Sequence, residues 1–446
     1  MPLTASEAKR KLVHIAAGGF AFLLRDLTWP QAVALATGAF LFNAMLLPRV
    51  GGKHMWREHE HGRGYPLGIL LYPLAVLALV LVFRERLELA AALWGILAFG
   101  DGMASVVGQA LAGPRLPWNP RKGWAGFLAF VVFGAAGAAV LMGWTLRLPF
   151  SAWTSSWILG LTVPLAAFCA LVETLPTTLD DNLTVPLAGA VLLPLLIEAS
   201  PSALLGHPDL VKRALLGLAI NAAFAGFAYW QGSIDVAGGV SAVLIGVAIT
   251  VGLGLPGLAV MIAFFVLGSA ATKLGYRVKA ARGIAQEKGG ARGWRNAWAN
   301  GGVAAFLALM AALDPPHAGL YAIAYAAAVA TAAADTCSSE IGKAYGRRTF
   351  LITTLRPVPP GTEGAISLEG TLGGFAGGAL VAAVGAVGAL YSWPVAGLVA
   401  LAGLLGSLAE SVIGTVAERN GWLDNDLLNA LNTALGAAIV VAFVSW

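Results

Sequence analysis

Charge is what this chain has least of. Only 11% of its 446 residues are Asp, Glu, Lys or Arg, against roughly 25% in ordinary soluble domains. No long polar stretch interrupts it, which excludes a separate water-soluble catalytic domain. Cysteine is nearly absent: Cys169 and Cys337 sit far apart inside apolar segments. They offer neither a zinc spacing nor a disulfide framework and read as small buried hydrophobes. No G-x-x-x-x-G-K-[ST] occurs, so a P-loop is excluded. The basic-then-apolar N-terminus lacks a small-residue cleavage site, so the segment is expected to be retained.

What is present is apolar. Hydrophobic residues make up 58% of the chain and glycine contributes 56 positions. With about 20 apolar residues per span, the sequence predicts an all-α integral membrane protein, a polytopic bundle of about 15 transmembrane helices. Seven spans fall between residues 12 and 198 and eight between 213 and 445. "VGLGLPG" (251–257) reads as a tight turn or as a break inside one helix. Alternating the loops collects most of the 28 basic residues on one side, which the positive-inside rule makes cytosolic. The plasma membrane of a bacterium is the expected location. Membrane lipids are expected partners, nucleic acid is not, and no oligomeric state can be read.

An ionised Asp near the centre of a bilayer costs roughly 2.5–3.5 kcal/mol even on a lenient scale, yet Asp101 interrupts a long apolar run. It has a counterpart: "GDGMASVVG" (100–108) and "ADTCSSEIG" (334–342) share D-x-x-[AS]-S-x-x-G. Asp101, Ser105 and Gly108 thus match Asp335, Ser339 and Gly342, with Asp and Ser on one helical face. Two spans later "ETLPTTLDDNLTVPL" (173–187) stands beside "ESVIGTVAERNGWLDNDLLNALN" (410–432). Glu173 pairs with Glu410, and Asp181–Asn182 with Asn425–Asp426. The chain is therefore expected to hold two partly repeated halves, 1–205 and 206–446. Carboxylates and Asn beside basic loops suit Mg²⁺ with a polyphosphate, basic side chains balancing the phosphate charge.

These residues carry a family likeness. "RKLVH" (Arg10, Lys11, His14), "GDGMASVVG" and "ETLPTTLDDNLTVP" make residues 9–198 resemble the CTP-dependent polyprenol kinases, the group of dolichol and phytol kinases. One departure is visible in "NPRKGWAGFLAF" (119–130): Ala125 stands where that family usually has Glu. Residues 235–446 resemble the membrane family that includes chloroplast phytyl-phosphate kinase, through "KGGARGWRNAWANGG" (288–302), "ADTCSSEIG", "PVPPGTEGAISLEGTLGG" (357–374) and the 410–432 stretch. There Glu369-Gly370 is present. The resemblance implies a fused, bifunctional kinase. It would take a long-chain isoprenoid alcohol to the monophosphate and then the diphosphate, with CTP (or ATP) as donor and Mg²⁺ as cofactor.

The implied roles follow. In the first half Asp101, Asp181 and Asn182 would hold the metal. Arg10, Lys11, Ser105, Arg121 and Lys122 would bind nucleotide or phosphate, and His14 or Glu173 would serve the hydroxyl. In the second half Asp335, Asn425 and Asp426 would hold the metal, with Glu369 and Glu410 as further catalytic carboxylates. Lys288, Arg292, Arg295, Asn300, Ser339 and Lys343 would bind nucleotide and the prenyl phosphate. Two rival readings share the layout. One is a CTP-dependent phospholipid cytidylyltransferase; the other is a transporter with parallel internal repeats, which should instead place its polar residues near the midplane.

Overall fold

The computed structural model describes residues 5–47, 49, 67–111, 113–286, 291–418 and 420–444, with the side chains of 5–10 left out. The protein is an integral membrane protein built of helices. Among the described residues, eleven helices are long and apolar enough to cross a membrane, and the only sheets are two short hairpins. The chain divides into two compact units, 1–197 and 198–446.

The first unit opens with three shorter helices, α1 (Ala5–Ala17), α2 (Trp29–Leu41) and α3 (Leu67–Val82). It continues with α4 (Leu87–Ala110), a hairpin of β1 (Arg115–Leu116) and β2 (Asn119–Gly123), then α5 (Trp124–Thr145), α6 (Ser156–Glu173) and α7 (Asp181–Glu198). In the second unit α8 (Leu210–Trp230), α9 (Val236–Lys273) and α10 (Trp294–Leu313) come first. α11 (Ala318–Tyr345), a hairpin of β3 (Thr349–Leu351) and β4 (Ala365–Ser367), α12 (Leu368–Val387), α13 (Trp393–Ala417) and α14 (Asn425–Val444) follow.

The last four helices of each unit repeat one design. The Asp-bearing helices α4 and α11 are the central ones: 72% and 78% of their most apolar windows are buried, the highest values of any span. Small residues let neighbours approach closely, and α11 carries an alanine-rich stretch from Ala326 to Ala334, interrupted by Val329 and Thr331. After each central helix comes a β-hairpin, and then a helix whose third residue is a glycine lying on the central helix. A Cβ on Gly126 would stand 3.0 Å from the Ala104 carbonyl oxygen and 3.5 Å from Gly108 Cα. One on Gly370 would stand 2.7 Å from the Ser338 carbonyl oxygen and 3.2 Å from Gly342 Cα. The glycines of the sequence motif are thus the crossing points that bring the hairpins against the Asp helices.

Helix α9 settles the reading of "VGLGLPG". Gly254 has φ 66° and ψ −160°, a combination essentially restricted to glycine, and Pro256 follows without an amide donor. A straight helix would hold Gly238 and Gly268 about 45 Å apart. Instead both lie against Arg292: a Cβ at Gly238 would collide with the Arg292 carbonyl, and one at Gly268 with its guanidinium. The helix therefore doubles back at Gly254 into two antiparallel arms, 236–253 and 255–273.

Candidate functional site

In the first unit three helices bring their carboxylates together. Asp101 lies at the end of a π-helical turn, Ile96–Asp101, inside α4; such turns concentrate at functional sites. Glu173 ends α6 and Asp181 begins α7. One oxygen from each of Asp101, Glu173 and Asp181 lies within 4.8 Å of the others. Lys11 Nζ lies 3.0 Å from Asp101 Oδ2, and Lys122 Nζ pairs with Glu173 and lies 3.7 Å from Asp181. Burial opposes charge on Lys122, but Glu173 and Asp181 outweigh it and hold its ammonium above the usual lysine range.

His14 adds an imidazole. Its Nε2 is 2.9 Å from the Leu97 carbonyl oxygen, which can only accept, so Nε2 carries the proton when the ring is neutral and Nδ1 keeps the lone pair. The ring stands edge-on to Tyr72 at 4.5 Å, whose hydroxyl accepts from Trp94 Nε1 at 2.9 Å. Asn182 donates to the Gly68 carbonyl at 3.3 Å, while its Oδ1 is buried without a donor among the described residues. Ser105 is half-buried one turn beyond Asp101, and Arg121 is exposed on β2. The Arg10 side chain lies outside the described residues.

The corresponding cavity in the second unit measures about 250 Å³ and is lined mostly by polar groups. Asp335 of α11 and Glu410 of α13 face it with their carboxyls in hydrogen-bond contact. Asn432 of α14 donates to Glu410 from behind and keeps its own Oδ1 without a donor among the described residues. Arg292, Asn300, Ser339 and Lys343 all line the cavity. The Arg292 and Lys343 head groups make no ion pair among the described residues. Burial pulls the Arg292 guanidinium below its ordinary value, against the opposing pull of Glu340.

Three sequence-predicted residues stand elsewhere. Arg295 is spent on Asp424 and Asp426, at 2.5 and 3.0 Å, tying the start of α10 to the turn before α14. Asp426 therefore faces Arg295, whereas its neighbour Asn425 lines the cavity. Glu369 accepts the Arg347 backbone N–H at 3.4 Å and is not among the cavity-lining residues. Lys288 lies outside the described residues.

The structure adds residues that motif reading passed over. Glu363 and Glu418 line the same cavity, as do Asn296 and Asn429. Glu363 sits in a loop held by Gly364, whose φ of +72° and lack of Cβ let it press on Ser411 and Thr415. Burial, then the carboxyl of Glu363 against it, push the Glu418 carboxyl up to about 8. The missed signal was a helical one: α13 runs two turns beyond Glu410, whereas α6 stops at Glu173. Counting from the Glu therefore slides the next cluster, and the residues level with Glu410 are Asn429 and Asn432.

A divalent cation fits both places on the donor chemistry. Hard cations take carboxylate and amide oxygens. Four buried side-chain polar atoms lack a partner among the described residues, and three of them, on Asn182, Glu418 and Asn432, belong to these two clusters.

Comparison with known proteins places this architecture. Residues 219–437, within the second unit, match the model described as "Integral membrane protein DUF92". The uncharacterized membrane protein sll0875 of Synechocystis is 46% identical over 200 residues, 44% of this chain and 78% of that protein. The chloroplastic protein VTE6 of Arabidopsis thaliana is 37% identical over 214 residues, 47% of this chain and 64% of that protein. Phytol kinase 1, also chloroplastic and from Arabidopsis thaliana, is 32% identical over 200 residues, 40% of this chain and 63% of that protein. The chain thus spans less than two thirds of either Arabidopsis relative. No solved structure matches it.

Proposed function

We propose that this chain, which belongs to the DUF92 family of integral membrane proteins, is a bifunctional isoprenoid kinase. The first unit would convert a long-chain prenol to its monophosphate and the second would convert that to the diphosphate. The proposed donor is a nucleoside triphosphate, CTP before ATP on the sequence resemblance, with Mg²⁺. The reading draws on the relatives whose printed names are phytol kinases. The fusion of two kinase units, the donor, and a cytosolic orientation of both sites in a bacterial plasma membrane belong to this proposal.

One observation carries the two-step reading. Both units set Asp and Glu on the same pair of helices, but they handle positive charge differently. In the first, Lys11 and Lys122 are paired with carboxylates, which suits a neutral alcohol. In the second, Lys279 is likewise paired with the cavity-lining Glu340, but Arg292 and Lys343 are left over at the cavity wall, which suits an acceptor that arrives already phosphorylated. Phosphoryl transfer is mostly positioning and charge neutralisation. Bound Mg²⁺ would supply neutralisation of the transferring group, held by Asp101, Glu173 and Asp181 in one unit and by Asp335 and Glu410 in the other. Lys11 and Lys122 would then turn from carboxylates to phosphate oxygens. The His14 imidazole would take the hydroxyl proton as the alcohol oxygen attacks the terminal phosphorus and the nucleoside diphosphate leaves. The second acceptor needs no such base, because a phosphate oxygen is already anionic, and no histidine lines that cavity.

The test is product analysis by mass spectrometry on purified protein with Mg²⁺, geranylgeraniol or its monophosphate, and CTP or ATP. Asp101→Asn is expected to lose the first phosphorylation at least about 100-fold, as loss of a charge-stabilising group does, and to keep the second. Asp335→Asn is expected to stop at the monophosphate. Release of pyrophosphate with a nucleotide-linked lipid would replace this reading with a cytidylyltransferase.

A further inference from the structure

The doubled-back helix α9 encloses a second cavity with α8 and α10. It measures about 80 Å³ and is lined by apolar side chains, among them Phe224, Ala225, Leu258, Met261 and Phe265. Arg292, Asn296 and Asn300 line this cavity and the polar one alike, so the two adjoin at these three side chains. Arg292 stands at the junction. Its guanidinium lies 5.4 Å from the Phe264 ring and 5.8 Å from that of Phe265, and it also lines the cavity that holds Asp335 and Lys343.

From the Arg292 end, the lining residues descend from Phe265 to Leu258 on one arm and from Gly238 to Gly246 on the other. At 1.5 Å per helical residue the cavity is about 10–12 Å deep. One of its walls is a poorly covered helix: only 17% of the most apolar window of α8 is buried. An apolar cavity of roughly 150 Å³ holds a benzene ring. A space of about 80 Å³ therefore takes the branched carbons next to a head group and not a whole long tail.

We infer that this cavity binds the head-proximal isoprene of the second unit's acceptor, with Arg292 holding the phosphate at the junction and the remaining tail leaving past α8 into the lipid. The inference deepens the kinase reading and rests on it for the identity of the acceptor. It makes the second unit a reader of the first prenyl branch and indifferent to total chain length. A straight alkyl phosphate lacks the methyl branch that fills the width between Phe224 and Met261, and binds less well.

The experiment measures binding, so that it is separable from turnover. Wild type and Ala225→Phe in lipid nanodiscs are titrated with geranylgeranyl, geranyl, dimethylallyl and hexadecyl monophosphates. Independently, a geranyl monophosphate with a diazirine on its first isoprene is photo-crosslinked to the unmutated protein and the adducts are mapped. In the wild type the three prenyl phosphates are expected to bind within about threefold of one another. The hexadecyl compound, which lacks one buried methyl, should bind the wild type about fourfold more weakly, and the filled variant should bind prenyl phosphates at least about tenfold more weakly, as exclusion of two buried carbons gives. Adducts are expected on 224–225 or 258–265. Affinity that climbs steadily with chain length, or adducts confined to other helices, overturns the inference, whatever happens to Ala225→Phe. Tight, mapped binding without phosphorylation sustains the cavity assignment and sinks the kinase reading instead.

Discussion

At the scale of single residues, the most informative groups are oxygens without donors and cations without anions. A buried acceptor left unpaired costs about 1–3 kcal/mol, and a membrane interior offers no water to relieve it. Glu418 shows the consequence for pH. Its carboxyl titrates near 8 in the folded protein, above the ordinary value of about 4.3, so between those values the folded state binds the proton more tightly than the unfolded chain does. This contribution to stability is fully present below about pH 4 and is lost as pH rises through 8. The melting temperature of Glu418→Gln in detergent, without divalent cations, is therefore expected to exceed that of the wild type by more at pH 8.5 than at pH 5. A difference that stays constant with pH, or shrinks, would show that Glu363 and Glu418 do not share a proton.

Elements explain which parts of this protein can be read from its sequence. The paired D-x-x-[AS]-S-x-x-G motifs and the Glu that follows two helices later were legible because both lie in long regular helices. Spacing there converts directly into one face, and the structure gathers Asp101 with Glu173 and Asp335 with Glu410. Asp181 was legible as well, as the first residue of the next helix. The partners of Asp426 and Glu369 were not, since they depend on where loops return: Arg295 reaches Asp426 across 131 positions of sequence. Glu363 and Glu418 were hidden by loop geometry and by the extra turns of α13. The reversal of α9 lay between, since Gly-Leu-Pro-Gly marks a break without telling a bend from a hairpin. Only glycine adopts the Gly254 backbone without strain of about 1–3 kcal/mol. Gly254→Ala is accordingly expected to lower the melting temperature and to weaken the second phosphorylation, because both arms that clamp Arg292 depend on it, and to leave the first step unchanged. Equal loss of both steps would mean general misfolding rather than a displaced Arg292.

For the molecule as a whole, the decisive fact is that each carboxylate cluster draws its residues from one unit. Asp101, Glu173, Asp181, Lys11 and Lys122 all precede residue 198, and every residue lining the 250 Å³ cavity follows it. Two self-sufficient sites need not share a molecule to act in sequence when their intermediate stays in the bilayer. Mixing Asp101→Asn and Asp335→Asn proteins in one vesicle is therefore expected to restore diphosphate from prenol, after a lag while the monophosphate diffuses from one protein to the other. Tethering raises the effective concentration of the second site around the first to the order of millimolar. Dilution with empty lipid should thus slow the mixture more steeply than the wild type, as followed by product ratio against the lipid-to-protein ratio. Parallel dilution curves would mean that joining the units confers no advantage in transfer. A mixture that makes monophosphate but never diphosphate would mean that the second site works only beside an intact first one.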